Sequence, residues 1–214
     1  MQPPKSDICV ICGERAATTQ DHVPPKGFFK GSKVSDLVTV PACSTCNNGA
    51  SSDDEDMRFY ISMQIGKYPP EASNLWEQGA RKSIQRKASL RNHVLGTARE
   101  MKVFSKDKGA VERIAVEVPA SLYDTVFSRT VRGLYFHHTA RILGPNCQTQ
   151  VSPLISQPDD PFIWQLHFNE IGGQACKYWY GVDSEDLDAS LWLFQFYGAH
   201  WIQVTTGAVC EDDS

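Results

Sequence analysis

The sequence predicts an α+β protein in which a small metal-stapled module, residues 1–68, precedes an α+β domain built on an antiparallel sheet, residues 69–214. Three observations predict it. Two Cys-x-x-Cys pairs, Cys9/Cys12 and Cys43/Cys46, frame a leading segment rich in Gly and Pro and short on helical periodicity. Midway, Leu122, Val126, Thr130 and Leu134 recur at spacing four, the stripe of a buried helix. The last third alternates in short aromatic and β-branched runs.

The module comes first. In a reducing compartment, four thiolates in two knuckles read as one tetrahedral site, because each pair can meet the same ion and the roughly thirty residues between them can loop out and return. Gly13, after Cys12, supplies the tight turn such a knuckle needs. We therefore expect structural Zn²⁺ on Cys9, Cys12, Cys43 and Cys46. The leftover Cys147, Cys176 and Cys210 read as small buried hydrophobes. Leu37 to Val40 is a short apolar strand leading into the second pair, and a helix follows from Ser44 or Ser51 through Met57, Tyr60, Ile61 and Ile65, ended by Gly66 and Pro69-Pro70. Its acids, Asp53 to Asp56, suit the positive end of the helix dipole, with metal binding the competing assignment.

In the second domain, Leu75 to Asn92 is helix-compatible with a basic polar face. Met101–Phe104 and Ile114–Val118 read as strands around the turn 105–109, and Pro119 suits the start of the striped helix. His137 and His138 fall at its end, where cationic or packing roles are favourable. Strands are expected over 162–168, 175–182, 191–197 and 201–205, paired as a simple meander with a hairpin loop at 169–173.

Composition narrows the function. With 41% hydrophobic and 21% charged residues this is ordinary globular material, and no apolar run is long enough for a bilayer or a secretory leader, so a cytoplasmic location and no membrane partner are expected. A net charge of −4 argues against indiscriminate coating of nucleic acid. From Arg81 to Arg113, however, ten Lys/Arg face three acids, a basic stretch that is either a solvated face or a guide for phosphates.

Inside the cysteine frame lie Asp21-His22-Val23-Pro24-Pro25-Lys26-Gly27 and Val40-Pro41-Ala42-Cys43-Ser44-Thr45-Cys46-Asn47. An Asp-His pair, a Pro- and Gly-containing turn, and a second knuckle followed at once by Asn resemble the HNH endonucleases of the ββα-metal (His-Me finger) class over roughly residues 8–58. The resemblance implies a treble-clef-like module, a four-cysteine structural zinc and a separate catalytic divalent ion. It implies His22 as the general base for water, and Asp21 and Asn47 as ligands of that ion. Asn47 stands where many members have His, a harder oxygen donor that favours Mg²⁺ or Mn²⁺. Lys26 beside the scissile phosphate and Arg58 on the following helix are the expected substrate cations, ordinary surface cations being the alternative. Asp36 is the expected substitute for the Asn that steadies the His-bearing loop in other members.

The expected activity is thus metal-dependent hydrolysis of DNA phosphodiester bonds, with RNA as a second candidate substrate and a homodimer as the arrangement that would cut both strands. The competing class is a non-catalytic zinc module that binds nucleic acid or a protein. Trp164, Tyr178, Trp179, Tyr180, Trp192 and Trp201 add a third expectation, a stacking platform for bases, against the simpler reading that strand alternation buries half of them.

Overall fold

The computed structural model describes residues 4–32, 34–63, 70–105 and 109–207. Ile65, Gly66, Pro69, the centre of the turn 105–109, Cys210 and the acidic end of the chain, all part of the expectations above, lie outside the described residues. The fold mixes helices with antiparallel sheets.

Near the N-terminus the first cysteine knuckle closes on itself through an Ile8–Ala16 bridge and a Gly13 N–H to Cys9 O bond of 2.8 Å, with Gly13 at a φ of 72°. Any residue with a Cβ would be strained in that left-handed turn. Strand β1, Thr19–His22, pairs antiparallel with β2, Thr39–Ala42, so that His22 faces Thr39 and Asp21 faces Val40. Between them a 3-10 turn, Lys26–Phe29, buries Phe28 and Phe29. Helix α1, Ser44–Gly49, starts on the second knuckle and passes at Ala50 into α2, Ser51–Ser62.

The chain then forms α3, Pro70–Leu75, and a π-helical turn at Trp76–Ala80, and the basic stretch opens with α4, Arg81–Arg86, and α5, Ala88–Thr97. Strands β3, Arg99–Ser105, and β4, Gly109–Ala115, make a separate two-stranded ribbon. Helix α6, Ala120–Thr139, follows Pro119 as expected and is covered nearly all round, with Leu122, Val126, Phe127, Thr130, Val131, Leu134 and Phe136 buried. A helix apolar on more than one side must be covered on more than one side. One side meets the sheet, where Phe127 lies 5.7 Å from Phe194 and 5.9 Å from Phe196 between ring centres. Another meets β2 and the loop after His22.

The main sheet has the order β5-β9-β8-β7-β6, with β5 Gln148–Leu154, β6 His167–Ile171, β7 Cys176–Val182, β8 Ser190–Phe196 and β9 His200–Gly207. Strands β6 to β9 form the expected meander, but β5 joins its far side against β9, so a plain meander is incomplete. The expected strand over 162–168 is also corrected. Asp160 accepts the Phe162 N–H at 2.9 Å and Pro161 opens a 3-10 turn, Pro161–Gln165, leaving only the end of the run to pair as β6.

Alternation sends Tyr178, Trp192, Phe194, Ile202 and Val204 to the α6 face, whereas Trp179, Leu193 and Trp201 pack with Ile163 on the reverse. The six aromatics named above are thereby split, with Trp164 the most exposed of them at 47%. His138, at the end of α6, packs instead of projecting: its ring stacks 4.2 Å from Tyr180, and Nε2 lies 3.0 Å from the Tyr178 hydroxyl. Cys147 and Cys176 are buried. One buried cluster takes in side chains from Cys9 to Val204, including Val23, Phe28, Val40, Met57, Phe127 and Phe196. Among the described residues no helix is long and apolar enough to cross a membrane.

Candidate metal cluster and adjoining cleft

The two knuckles bring Cys9, Cys12, Cys43 and Cys46 together, with all four sulfurs within 4.8 Å of one another. A tetrahedral ion with Zn–S bonds near 2.3 Å sets thiolates about 3.8 Å apart, so the cluster fits a metal such as zinc. Donors already surround the sulfurs. Cys43 Sγ caps α1 by accepting the Cys46 N–H at 3.4 Å, and Arg15 Nη2 lies 3.6 Å from Cys46 Sγ. Burial pushes the Cys12 thiol up, but the backbone N–H groups of Arg15 and Glu14 and the Arg15 side chain outweigh it and bring the thiol down to about 6. Burial pushes the Cys9 and Cys46 thiols the other way, and a soft metal binds all four as thiolates.

The knuckles also build the neighbouring cleft. Val10 N–H bonds Pro41 O at 3.0 Å and Thr18 N–H bonds Ala42 O at 3.0 Å, which locks β1 and β2 beside the cluster. The second knuckle launches α1 so that Asn47, next after Cys46, reaches back to β1. Its Nδ2 donates to Thr19 Oγ1 at 3.1 Å and to Gln20 O at 3.0 Å. Those two bonds orient the amide and leave Oδ1 as the uncommitted end. The cleft of about 340 Å³ is lined by Asp21, His22, Pro25, Lys26, Gly27, Asn47, Asn48, Ser51 and Asp54.

Four residues expected from sequence therefore meet in one place: Asp21, His22, Lys26 and Asn47. Asp21 is buried, at 7% exposure; Oδ1 accepts its neighbour's His22 N–H at 2.8 Å, and Oδ2 has no hydrogen bond. Burial pushes the Asp21 carboxyl up, opposed by the Arg129 charge and the His22 N–H. The His22 imidazole is half-buried, and burial first, then the nearby Lys26 charge, lowers its basicity. Lys26 is exposed at the rim.

Arg58 lies elsewhere. It is 6% exposed, donates through Nη2 to Ser83 Oγ at 2.7 Å and stands 3.5 Å from Glu55 Oε1. It borders a second cleft of about 280 Å³, with Lys30, Glu55 and Arg86, that shares Gly27, Ser51 and Asp54 with the first. Asp36 does not brace the His22 loop: both its carboxylate oxygens accept the Gly172 N–H at 3.2 Å, holding the β6–β7 turn. The loop is held instead by Val23 N–H bonding Val38 O at 3.0 Å and by Tyr197 donating its hydroxyl to Phe28 O at 2.6 Å.

Sequence reasoning missed Arg129 and left Asp54 undistinguished among the acids Asp53 to Asp56, for which metal binding was the competing assignment. Asp54 lines the cleft, its Oδ1 accepting from Arg129 Nη2; burial pushes its carboxyl up against the lowering effect of Arg129. Arg129, 5% exposed on α6, also places Nε 3.6 Å from Asp21 Oδ2. Asp54 carried a signal in its spacing, since Asn47, Ser51 and Asp54 repeat at four and three along one helical face. Nothing local in the sequence marks Arg129.

No family model matches the chain, and no curated protein or solved structure matches it.

Proposed function

We propose that the chain is a metal-dependent endonuclease that hydrolyses phosphodiester bonds in DNA, with His22 as general base. One observation carries the reading: Asp21, His22, Lys26 and Asn47, drawn from a strand, a turn and a helix, line a single polar cleft beside the four-cysteine cluster. The order of knuckle, β1–β2 hairpin, second knuckle and helix supports a treble-clef-like ββα-metal module, in which zinc at the cysteines is structural.

The donors fit a second, harder cation, because Asp21 Oδ2 is a buried acceptor with no hydrogen bond, its nearest cation being Arg129 Nε at 3.6 Å, and the amide of Asn47 is oriented by its nitrogen. Asp21 and Asn47 would hold Mg²⁺ or Mn²⁺ there through oxygen. Such an ion, when bound, supplies charge stabilisation to the phosphate and the leaving oxygen. His22 takes one proton from a water whose oxygen attacks phosphorus. The P–O3′ bond breaks as the new P–O bond forms, and solvent protonates the departing 3′ oxygen, leaving a 5′-phosphate and a 3′-hydroxyl. Lys26 attracts the phosphate at the rim, and Lys30 and Arg86 line the adjoining cleft.

Plasmid cleavage with Mg²⁺ or Mn²⁺ tests the reading, run beside His22→Ala and with RNA as a parallel substrate. We expect His22→Ala to keep its zinc and lose cleavage by at least about a hundredfold. Equal cleavage by wild type and His22→Ala removes His22 as base. Zinc retention with no cleavage by wild type under any divalent ion favours a non-catalytic zinc module.

A further inference from the structure

We propose that Asp54 is a second carboxylate ligand of the divalent cation at the His22 cleft, and that Arg129 is the positioning residue that sets Asp54 and Asp21 together. The inference rests on the nuclease reading for what the cation does, while the site itself is argued from the residues around it.

Four consecutive acids open α2, and the fold sends them to different places. Glu55 is engaged by Arg58, Arg86 and the Ser83 hydroxyl, and Asp56 by Lys87. Asp53 and Asp56 border another cleft, with His93 and Ser121. Asp54 alone of the four lines the cleft of His22, on the same helical face as Asn47 and Ser51. Its Oδ1 is taken by Arg129, and its Oδ2 accepts no hydrogen bond from the described residues.

The second, independent observation is Asp21 Oδ2, a buried acceptor at the wall of that cleft with no hydrogen bond. An isolated buried carboxylate oxygen is unfavourable unless a cation or donor meets it. Arg129 goes only part of the way: its Nε is 3.6 Å distant, and both Nε and Nη1 remain without an acceptor. Two carboxylates share one guanidinium. A divalent ion contacting both carboxylates would satisfy their open oxygens, while Arg129 holds Asp54 through Oδ1 and the His22 N–H holds Asp21 through Oδ1. The donor set is oxygen throughout, which selects a hard ion such as Mg²⁺ or Mn²⁺ over a second zinc.

Mn²⁺ binding to the full zinc-loaded chain, followed by electron paramagnetic resonance, tests this without any substrate. Asp53→Asn should bind Mn²⁺ as wild type does, Asp54→Asn at least about tenfold more weakly, and Arg129→Lys about ten- to a hundredfold more weakly, as when a group supporting a ligand is lost. Zinc content and thermal midpoint are recorded for each variant. A purely structural Arg129 would lower the midpoint and leave the affinity of folded protein unchanged. Because a variant can fail to fold, wild type is also read directly: Mn²⁺ should broaden the side-chain carboxyl carbons of Asp21 and Asp54 together. Folded Asp54→Asn with wild-type affinity, broadening of Asp21 without Asp54, or no Mn²⁺ binding by wild type each overturns the proposal. Asp54-dependent binding in a chain that cleaves nothing leaves this inference standing and removes the nuclease reading. Cleavage with Mn²⁺ by a chain whose Asp54→Asn form binds normally does the reverse.

Discussion

Gly133→Ala should displace the His22 loop, because it adds a methyl group on one element where a side chain of another already packs. A Cβ at Gly133 of α6 would stand 2.6 Å from Val23 Cγ1, 2.9 Å from Cγ2 and 3.1 Å from Cβ. Carbon atoms settle at about 3.5–4 Å, so one side must retreat by roughly 1 Å. Val23 is fully buried and adjoins His22, and overpacking at such a site costs about 1–3 kcal/mol. Alanine recovers about 1 kcal/mol of helix preference over glycine. The net expectation is a loss of about 0–2 kcal/mol in urea unfolding and, under the proposed endonuclease function, a fall in cleavage of about a hundredfold from a base misplaced by about 1 Å. Val23→Ala removes the two clashing methyl groups, so the double variant should be more stable than the sum of the single effects by about 1–2 kcal/mol. Additive effects, or a Gly133→Ala protein that is more stable than wild type and cleaves normally, would refute the packing argument.

Other consequences follow from the same contacts. Stripping the metal with a chelator, or Cys43→Ser, should take zinc content from one per chain to none and lower the thermal midpoint by about 10 °C or more, read by metal analysis and calorimetry. Tyr197→Phe leaves Phe28 O without its hydroxyl donor and should cost about 1–2 kcal/mol in urea unfolding, with cleavage reduced because Phe28 anchors the turn carrying Lys26. Burial holds His200 down to about 4, against about 6.5 in the unfolded chain. The unfolded state therefore takes up the proton first: stability is intact above about pH 6.5, falls as pH drops toward about 4, and has lost about 2 kcal/mol from this group at about pH 5. His200→Gln should flatten that slope in urea titrations at about pH 7.5 and about pH 5, and an unchanged slope would show that His200 does not contribute.

Much of the site was legible because its parts are local. Each Cys-x-x-Cys turn, the Asp21-His22 pair and Asn47 after Cys46 occupy short contiguous motifs, and the knuckle spacing obliges the chain to return to itself. The partnerships that tune the cleft are long-range. Arg129 lies 75 residues from Asp54 and is one cation among many in the sequence until α6 packs against β2. Asp54 sat in a run of acids that the helix dipole explains equally well. In the sheet, β5 was invisible because Gln148-Thr149-Gln150-Val151-Ser152-Pro153-Leu154 is polar and carries a proline, as an edge strand can. The expected strand at 162–168 failed for the opposite reason: an apolar run satisfied the strand pattern, while Asp160 and Pro161 supplied a local turn that won.

Helix α6 carries Arg129 to the back of the cleft, Gly133 to the His22 loop and Phe127 to the sheet within a few turns. The segment framed by the two cysteine knuckles is consequently not a cassette that could be lifted out and grafted onto another scaffold. Cut after Met63, it would keep its cysteines and His22 but leave Val23, Phe28 and Val40 facing water, and Asp21 without its cation. For an engineer, the portable unit is the hairpin together with α6, and the β3–β4 ribbon, which forms a sheet of its own, is the better place for changes.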